Sequence, residues 1–525
     1  MDKPKQITRR RALVGIGASV SAAVVGCGGA DASETSAAGG SAGSSGGSAG
    51  GAGIGASGGT SPGGGGGTSP GGAAGSSPGG SGGAGGSETG GSAGTGATGG
   101  EPSCTATNGL TPRQLLGKVD HVVVLCMENR SFDNYLGSLQ MLESRSVDGL
   151  TGNESNPAPD GGSVLVHQLN TFTPEDPPHN WDACHAQFNA GLNDGFVREH
   201  AGASQDDVMG YHTRSQLPIT YALADAGAVC DRYFCSLLGP TWPNRFYLHA
   251  ASSNGGKSNL PQLGLSSKSI WARLNDANIS NKNYYHDLAW AIGGFGKLSG
   301  NAGIDTFFSD VMSGDLPQFS LIDPQFFGVG ANDDHPDHDV QLGQVLIGTI
   351  FRALAESPIW QRCLFVITYD EHGGFYDHVA PPKTTDERAE FQQLGFRVPS
   401  LVLGPHVRRG CTVSAQLEHA SLAKTLATRF GIPELNARVS ATADFSSCID
   451  PYYLEHPLSA PTLPQLTVSR QRFLGRARVG VEHPEMREVA RRLPRDMQRI
   501  SHDTLGETEH VLRWAQELGV AKVVR

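Results

Sequence analysis

The chain has 525 residues and 72 glycines, unevenly spread: residues 28–103 hold 33 of them, residues 1–27 hold three, and 104–525 hold 36. Outside that tract the glycine share is that of an ordinary globular protein, and no apolar run after residue 27 approaches the ~20 residues of a spanning helix, so a wholly disordered chain and a polytopic membrane protein are both excluded. The net charge of −11 belongs to 104–525, because +4 over 1–27 cancels −4 over 28–103; a general nucleic-acid binder needs a basic surface, and this balance argues against one.

In chain order, the N-terminus reads as an export signal. Arg9, Arg10 and Arg11 precede a short apolar run over 12–25, too short to span a bilayer and suited to a signal peptide. The paired arginines fit twin-arginine export. Val24-Val25-Gly26-Cys27 fits a lipoprotein cleavage box, with Cys27 as the lipid-bearing residue and a membrane anchor at the cell envelope; secretion after an ordinary signal peptide is the alternative. Residues 28–103 repeat Gly, Ser and Ala broken by prolines. They cannot bury enough apolar surface to fold and are expected to form a flexible tether reaching roughly 50 Å. Eight cysteines follow Cys27; their spacing fixes no bridge and offers no paired CxxC zinc motif.

From residue 104 one α/β domain is expected. Residues 119–126 (VDHVVVLC), 318–322, 363–369 (CLFVITY) and 398–403 are apolar runs of strand length. Helical periodicity marks 339–355 and 418–430, with a shorter helical pattern over 246–252. Strands separated by helices predict a three-layer αβα sandwich around a mostly parallel sheet. Residues 470–525 are charged and helical in pattern and are expected to cover the domain peripherally.

In open α/β sheets, sites form beyond the carboxyl ends of the strands. There, 119–126 runs into Glu128-Asn129 and 363–369 into Asp370-Glu371. If the two strands are neighbours, three carboxylates converge, and a divalent metal ion would offset their repulsion. Thr241, in Gly239-Pro240-Thr241-Trp242-Pro243-Asn244-Arg245, falls at a helix start, where the dipole favours an anion. A hydroxyl beside a metal could attack phosphorus, with Asn244 and Arg245 contacting phosphate oxygens. His179, His286 and His335 are candidates for donors to phosphate or for the acid on a leaving oxygen.

HVVVLCMENRSFDNYLG, SLLGPTWPNRFYLHA, NDDHPDHDV and FVITYDEHGGFYDHVAPP resemble the bacterial phosphoesterase family that contains phosphatidylcholine-hydrolysing phospholipases C and related acid phosphatases. The resemblance spans residues 118–433. It implies an alkaline-phosphatase-like fold, a metal held by Glu128, Asn129, Asp370, Glu371 and Thr241, and Thr241 as nucleophile. It also implies a phosphate pocket lined by His179, His286 and His335, and a two-step phosphoryl transfer through phosphothreonine. The expected substrate is a phosphate ester, a phospholipid in the first reading and a phosphomonoester in the second; a non-catalytic surface lipoprotein is the third.

Overall fold

The computed structural model describes residues 102–524 except 203, 298, 329, 471–482 and 493–503. The export signal, Cys27 and the tether up to residue 101 lie outside the described residues. Among the described residues, no helix is long and apolar enough to cross a membrane.

An eight-stranded sheet forms the centre. Its strands, in chain order, are β1 (His121–Met127), β2 (Ala228–Val229), β3 (Asn281–Tyr285), β4 (Asn301–Gly303), β5 (Phe319–Asp323), β6 (Cys363–Tyr369), β7 (Ser400–Leu403) and β8 (Cys411–Thr412). Across the sheet the order is β8-β2-β7-β6-β1-β5-β3-β4. Every pairing is parallel except those of β7, which runs against β6 and β2. The central strands are buried on both faces, which is why β1 and β6 read as near-continuous apolar runs rather than as alternating ones.

Helices cover both faces. On one side lie 218–226, 304–313 and the long helix Val340–Ala355. Asp339 caps that long helix, accepting from the Gln341 N–H. On the other side lie α1 (Thr241–Ala250) and helices 270–276, 290–295 and 420–430. The expected three-layer arrangement is therefore the observed one. The expected strand over 398–403 is present from Ser400, but its direction is antiparallel.

Cys104 is bonded to Cys411 of β8, tying the start of the domain to the sheet edge. Cys126, Cys184, Cys230, Cys235, Cys363 and Cys448 are buried thiols. The C-terminal segment adds α2 (Pro484–Arg492), α3 (Thr504–Glu517) and a parallel pair of short strands, 466–469 with 521–524. It is not merely peripheral: His483, just ahead of α2, is buried against the ends of the central strands.

Candidate active site

The register of the sheet builds the site. Met127 of β1 pairs with Tyr369 of β6, so the next residues, Glu128-Asn129 and Asp370-Glu371, leave the sheet side by side. Asn129 adopts a left-handed conformation (φ 57°). Its N–H donates to Asp370 Oδ1 (3.1 Å), which also accepts from the Glu371 N–H (2.8 Å). On the other side of β1, β5 ends in Asp323.

Over these carboxylates lies the start of α1. Thr241 is its first helical residue, and its hydroxyl donates to Asn129 Oδ1 at 3.3 Å. Four residues on, one turn along the same helix face, Arg245 enters the carboxylates from within. Its guanidinium lies 2.8 Å from Glu128 Oε1 and 3.3 Å from each of Asp323 Oδ1 and Asp370 Oδ2, and it donates to the Cys126 carbonyl. Arg245 is fully buried. The expectation that it binds phosphate is corrected: its donors are committed to the carboxylates that converge at the strand ends.

Asn244 is likewise buried. Its Oδ1 accepts from the Ser236 and Leu237 N–H groups, and its Nδ2 donates to the Leu237, Gly239 and Pro240 carbonyls. It shapes the loop that delivers Thr241, and its amide oxygen and nitrogen are taken up by that loop's backbone rather than left open for phosphate. The helix start also offers fewer anion donors than a bare one, since Trp242 N–H donates to Asn259 Oδ1 and Pro243 has none.

The histidines divide. His179 Nδ1 stands 2.6 Å from Glu371 Oε1, and its Nε2 is 3.4 Å from Asp176 Oδ1. His335 lies beside it, ring centroids 6.2 Å apart, with Nδ1–H donating to the Pro336 carbonyl (2.9 Å). His286 does not join them. It follows β3, which is separated from β1 by β5, and it accepts from Asn332 Nδ2 (3.0 Å) and donates from Nε2 to the Glu507 carbonyl of α3 (2.8 Å). Its expected place in the phosphate pocket is corrected: it is a buried fastening between the 332 loop and the C-terminal segment.

The electrostatics follow from burial. Desolvation pushes Glu128 up to about 8, although Arg245 opposes the rise. Desolvation and then the neighbouring Glu128 raise Asp370 well above the carboxylate range. Burial acts against ionisation of Glu371 too, but His179 and His372 overcome it and draw its pKa down to about 2. Burial lowers and the Glu371 and Asp176 carboxylates raise His179, and the net position is well above the ordinary histidine value. His335, buried and beside His483, is pushed down to about 3.

Three carboxylates (Glu128, Asp323, Asp370) therefore surround the Arg245 guanidinium, which cannot offset them all, while Glu371 is paired with His179. Among the described residues, Asn129 Nδ2 makes no hydrogen bond despite burial, and Glu128 Oε2, likewise without one, lies 3.4 Å from His483 Nδ1. The excess negative charge and the oxygen donors of Asn129, Glu371 and Thr241 fit a divalent cation. Further histidine and carboxylate groups of suitable spacing are His335/His338/His483, Asp176/His179/His335, Glu128/Asp333/His483 and Asp133/Asp377/His378. Asp333, Asp323 and His483 were not among the sequence candidates. Asp333 sits in the NDDHPDHDV motif, but nothing in the sequence around His483 singles it out.

The Phosphoesterase family's sequence profile matches residues 119–295 and 290–433, and the chain belongs to that family. It is a hydrolase acting on phosphoric ester bonds. Its relatives include "Non-specific phospholipase C1" of Arabidopsis thaliana, 32% identical over 371 residues, covering 62% of this chain and 69% of the relative. "Phospholipase C B" of Mycobacterium tuberculosis (strain ATCC 25618 / H37Rv) is 32% identical over 438 residues, covering 67% and 83%. Among solved structures, the phosphonate monoester hydrolase of Agrobacterium radiobacter overlaps with a TM-score of 0.32 at 11% identity, covering 63% of this chain and 77% of that one.

Proposed function

We propose that the chain is a metal-dependent phosphodiesterase of phospholipase C type that works through a phosphothreonine on Thr241. The observation that carries this reading is the 3.3 Å hydrogen bond from Thr241 to Asn129 at the junction of the two acidic strand ends. Glu128, Asn129, Asp370, Glu371 and Thr241 would hold the divalent cation. When bound, that cation supplies positive charge that lowers the proton affinity of a neighbouring hydroxyl and offsets charge on phosphoryl oxygens.

The chain's own residues supply the rest. Asn129 and the Asn244-braced loop orient Thr241 Oγ1 toward phosphorus. In the first step Thr241 Oγ1 bonds to phosphorus and releases its proton to solvent. The bond from phosphorus to the alcohol oxygen breaks, and His179 Nε2 protonates that oxygen. In the second step water attacks phosphorus, His179 takes the water's proton, and Thr241 leaves and regains a proton from solvent. Arg245, paired from beneath, keeps the carboxylates at their posts. His335 forms the pocket wall beside His179. An anchor at Cys27 and the tether over 28–103 would hold the domain within reach of a lipid surface, which suits phospholipid as substrate.

The test compares hydrolysis of phosphatidylcholine vesicles, p-nitrophenylphosphorylcholine and p-nitrophenyl phosphate by the purified chain, before and after chelation. The reading expects both choline diesters to be preferred, loss of turnover on chelation, and recovery on adding a divalent metal. Thr241→Ala should lower kcat by at least about 10³-fold. Preference for the monoester would favour the acid phosphatase reading. Inactivity on all three, with every metal added, would leave the non-catalytic lipoprotein.

A further inference from the structure

Beside the acidic strand ends lies a second cluster, and part of it comes from outside the family-matched segment, which ends at residue 433. His335, His338 and His483 each present a ring nitrogen within 4.8 Å of the others, and Glu128, Asp333 and His483 do the same with their ligand atoms. The rings of His335 and His483 are 4.3 Å apart between centroids; His338 is 5.7 Å from His335 and 5.8 Å from His483. All five side chains are buried, none more than 8% exposed.

The orientation of the rings is fixed by oxygen acceptors. Asp333 Oδ1 lies 2.6 Å from His338 Nδ1, and its Oδ2 lies 3.0 Å from His483 Nε2. The Pro336 carbonyl takes His335 Nδ1–H. Each ring thus has one nitrogen bound to an oxygen acceptor, the pattern by which carboxylates and carbonyls hold metal-ligating histidines in one tautomer. Glu128 Oε2, buried and without a hydrogen bond among the described residues, points at this group, 3.4 Å from His483 Nδ1.

We propose that His335, His338, His483 and Glu128, with Asp333 bracing two of the rings, form a second divalent metal site, rich in imidazole and suited to zinc or another first-row transition ion. It is distinct from the oxygen-donor set of Asn129, Asp370, Glu371 and Thr241, shares Glu128 with it, and does not depend on which residue is the nucleophile. Because one ligand is His483, the C-terminal segment becomes part of the site.

The experiment strips the full chain with chelator, reloads it with cobalt or zinc, and reads bound metal by elemental analysis together with the cobalt visible spectrum. The wild type should bind two equivalents. His483→Gln and His338→Gln should each bind one and lose the nitrogen-ligated cobalt bands, whereas Asp370→Asn should lose the other equivalent and keep those bands. Wild-type stoichiometry and bands in both histidine variants would overturn the proposal. If either variant fails to fold, zinc X-ray absorption of the wild type decides the matter. Imidazole scattering supports the site, and an oxygen-only shell overturns it. Loss of activity in Thr241→Ala with both equivalents retained would separate this claim from the catalytic one.

Discussion

Arg245 is the residue whose removal should cost the fold most directly. Its guanidinium is paired at once with Glu128, Asp323 and Asp370, and breaking a buried ion pair by removing one partner costs about 3–5 kcal/mol. Arg245→Met is expected to lower the thermal midpoint sharply, and Arg245→Lys to recover little of it, because a single ammonium cannot span three carboxylates. Calorimetry on the two variants checks this. Its role was misread in sequence for a physical reason: an arginine after a candidate nucleophile reads as an anion ligand, and only the helical register shows that it points inward. A second network, where Arg397 pairs with Asp133 and Asp377 and His378 lies 2.7 Å from Asp133, gives a pH prediction. Burial acts to lower the His378 pKa, but Asp133 outweighs it and the value rises from 6.5 to about 9. A raised folded pKa means that the charged pair's stabilisation is fully present below about 6.5 and is lost as pH climbs through 9. The difference in midpoint between wild type and His378→Gln should therefore be largest near pH 6 and shrink toward pH 9.5. A difference that stays constant across that range would remove the charged pair as its cause.

The strand-end turns set the site at the level of elements. The turn after β6 reaches Gly373, with φ 64°, where an added Cβ would meet the Asn129 carbonyl at 2.2 Å. Only glycine lets the two strand-end turns approach so closely. Gly373→Ala is expected to cost roughly 1–3 kcal/mol in backbone strain and to displace Asn129. It should lower kcat at least tenfold while leaving a folded protein, as read by circular dichroism and kinetics together. Strands β1 and β6 were legible because double-sided burial demands unbroken β-branched runs, and their polar continuations were legible because parallel sheets place chemistry at strand ends. The adjacency of β1 and β6, and the reversed direction of β7, were not, since pairing order is set by distant segments. The same limit misplaced His286: one strand intervenes between its own and the one that carries Glu128.

At the scale of the molecule, two long-range fastenings close the domain. The Cys104–Cys411 bridge spans 307 residues, and a loop of that length restricts the unfolded chain by roughly 6 kcal/mol in the chain-entropy account. Reductant should lower the midpoint of the wild type and leave the Cys104→Ser/Cys411→Ser double variant unchanged. The C-terminal segment is the other fastening: His483 reaches Glu128 and Asp333, and Glu507 holds His286. Its helical, charged pattern was readable, but its docking was not, because no periodicity encodes which buried carboxylates a lone histidine will meet. The central claim is that Thr241 carries phosphorus between the two steps. Rapid acid quench during turnover of p-nitrophenylphosphorylcholine, followed by peptide mass analysis, tests it. The account predicts a phosphoryl-bearing adduct on the peptide containing Thr241, absent from Thr241→Ala. Full turnover by Thr241→Ala, or an adduct on another residue, would contradict it.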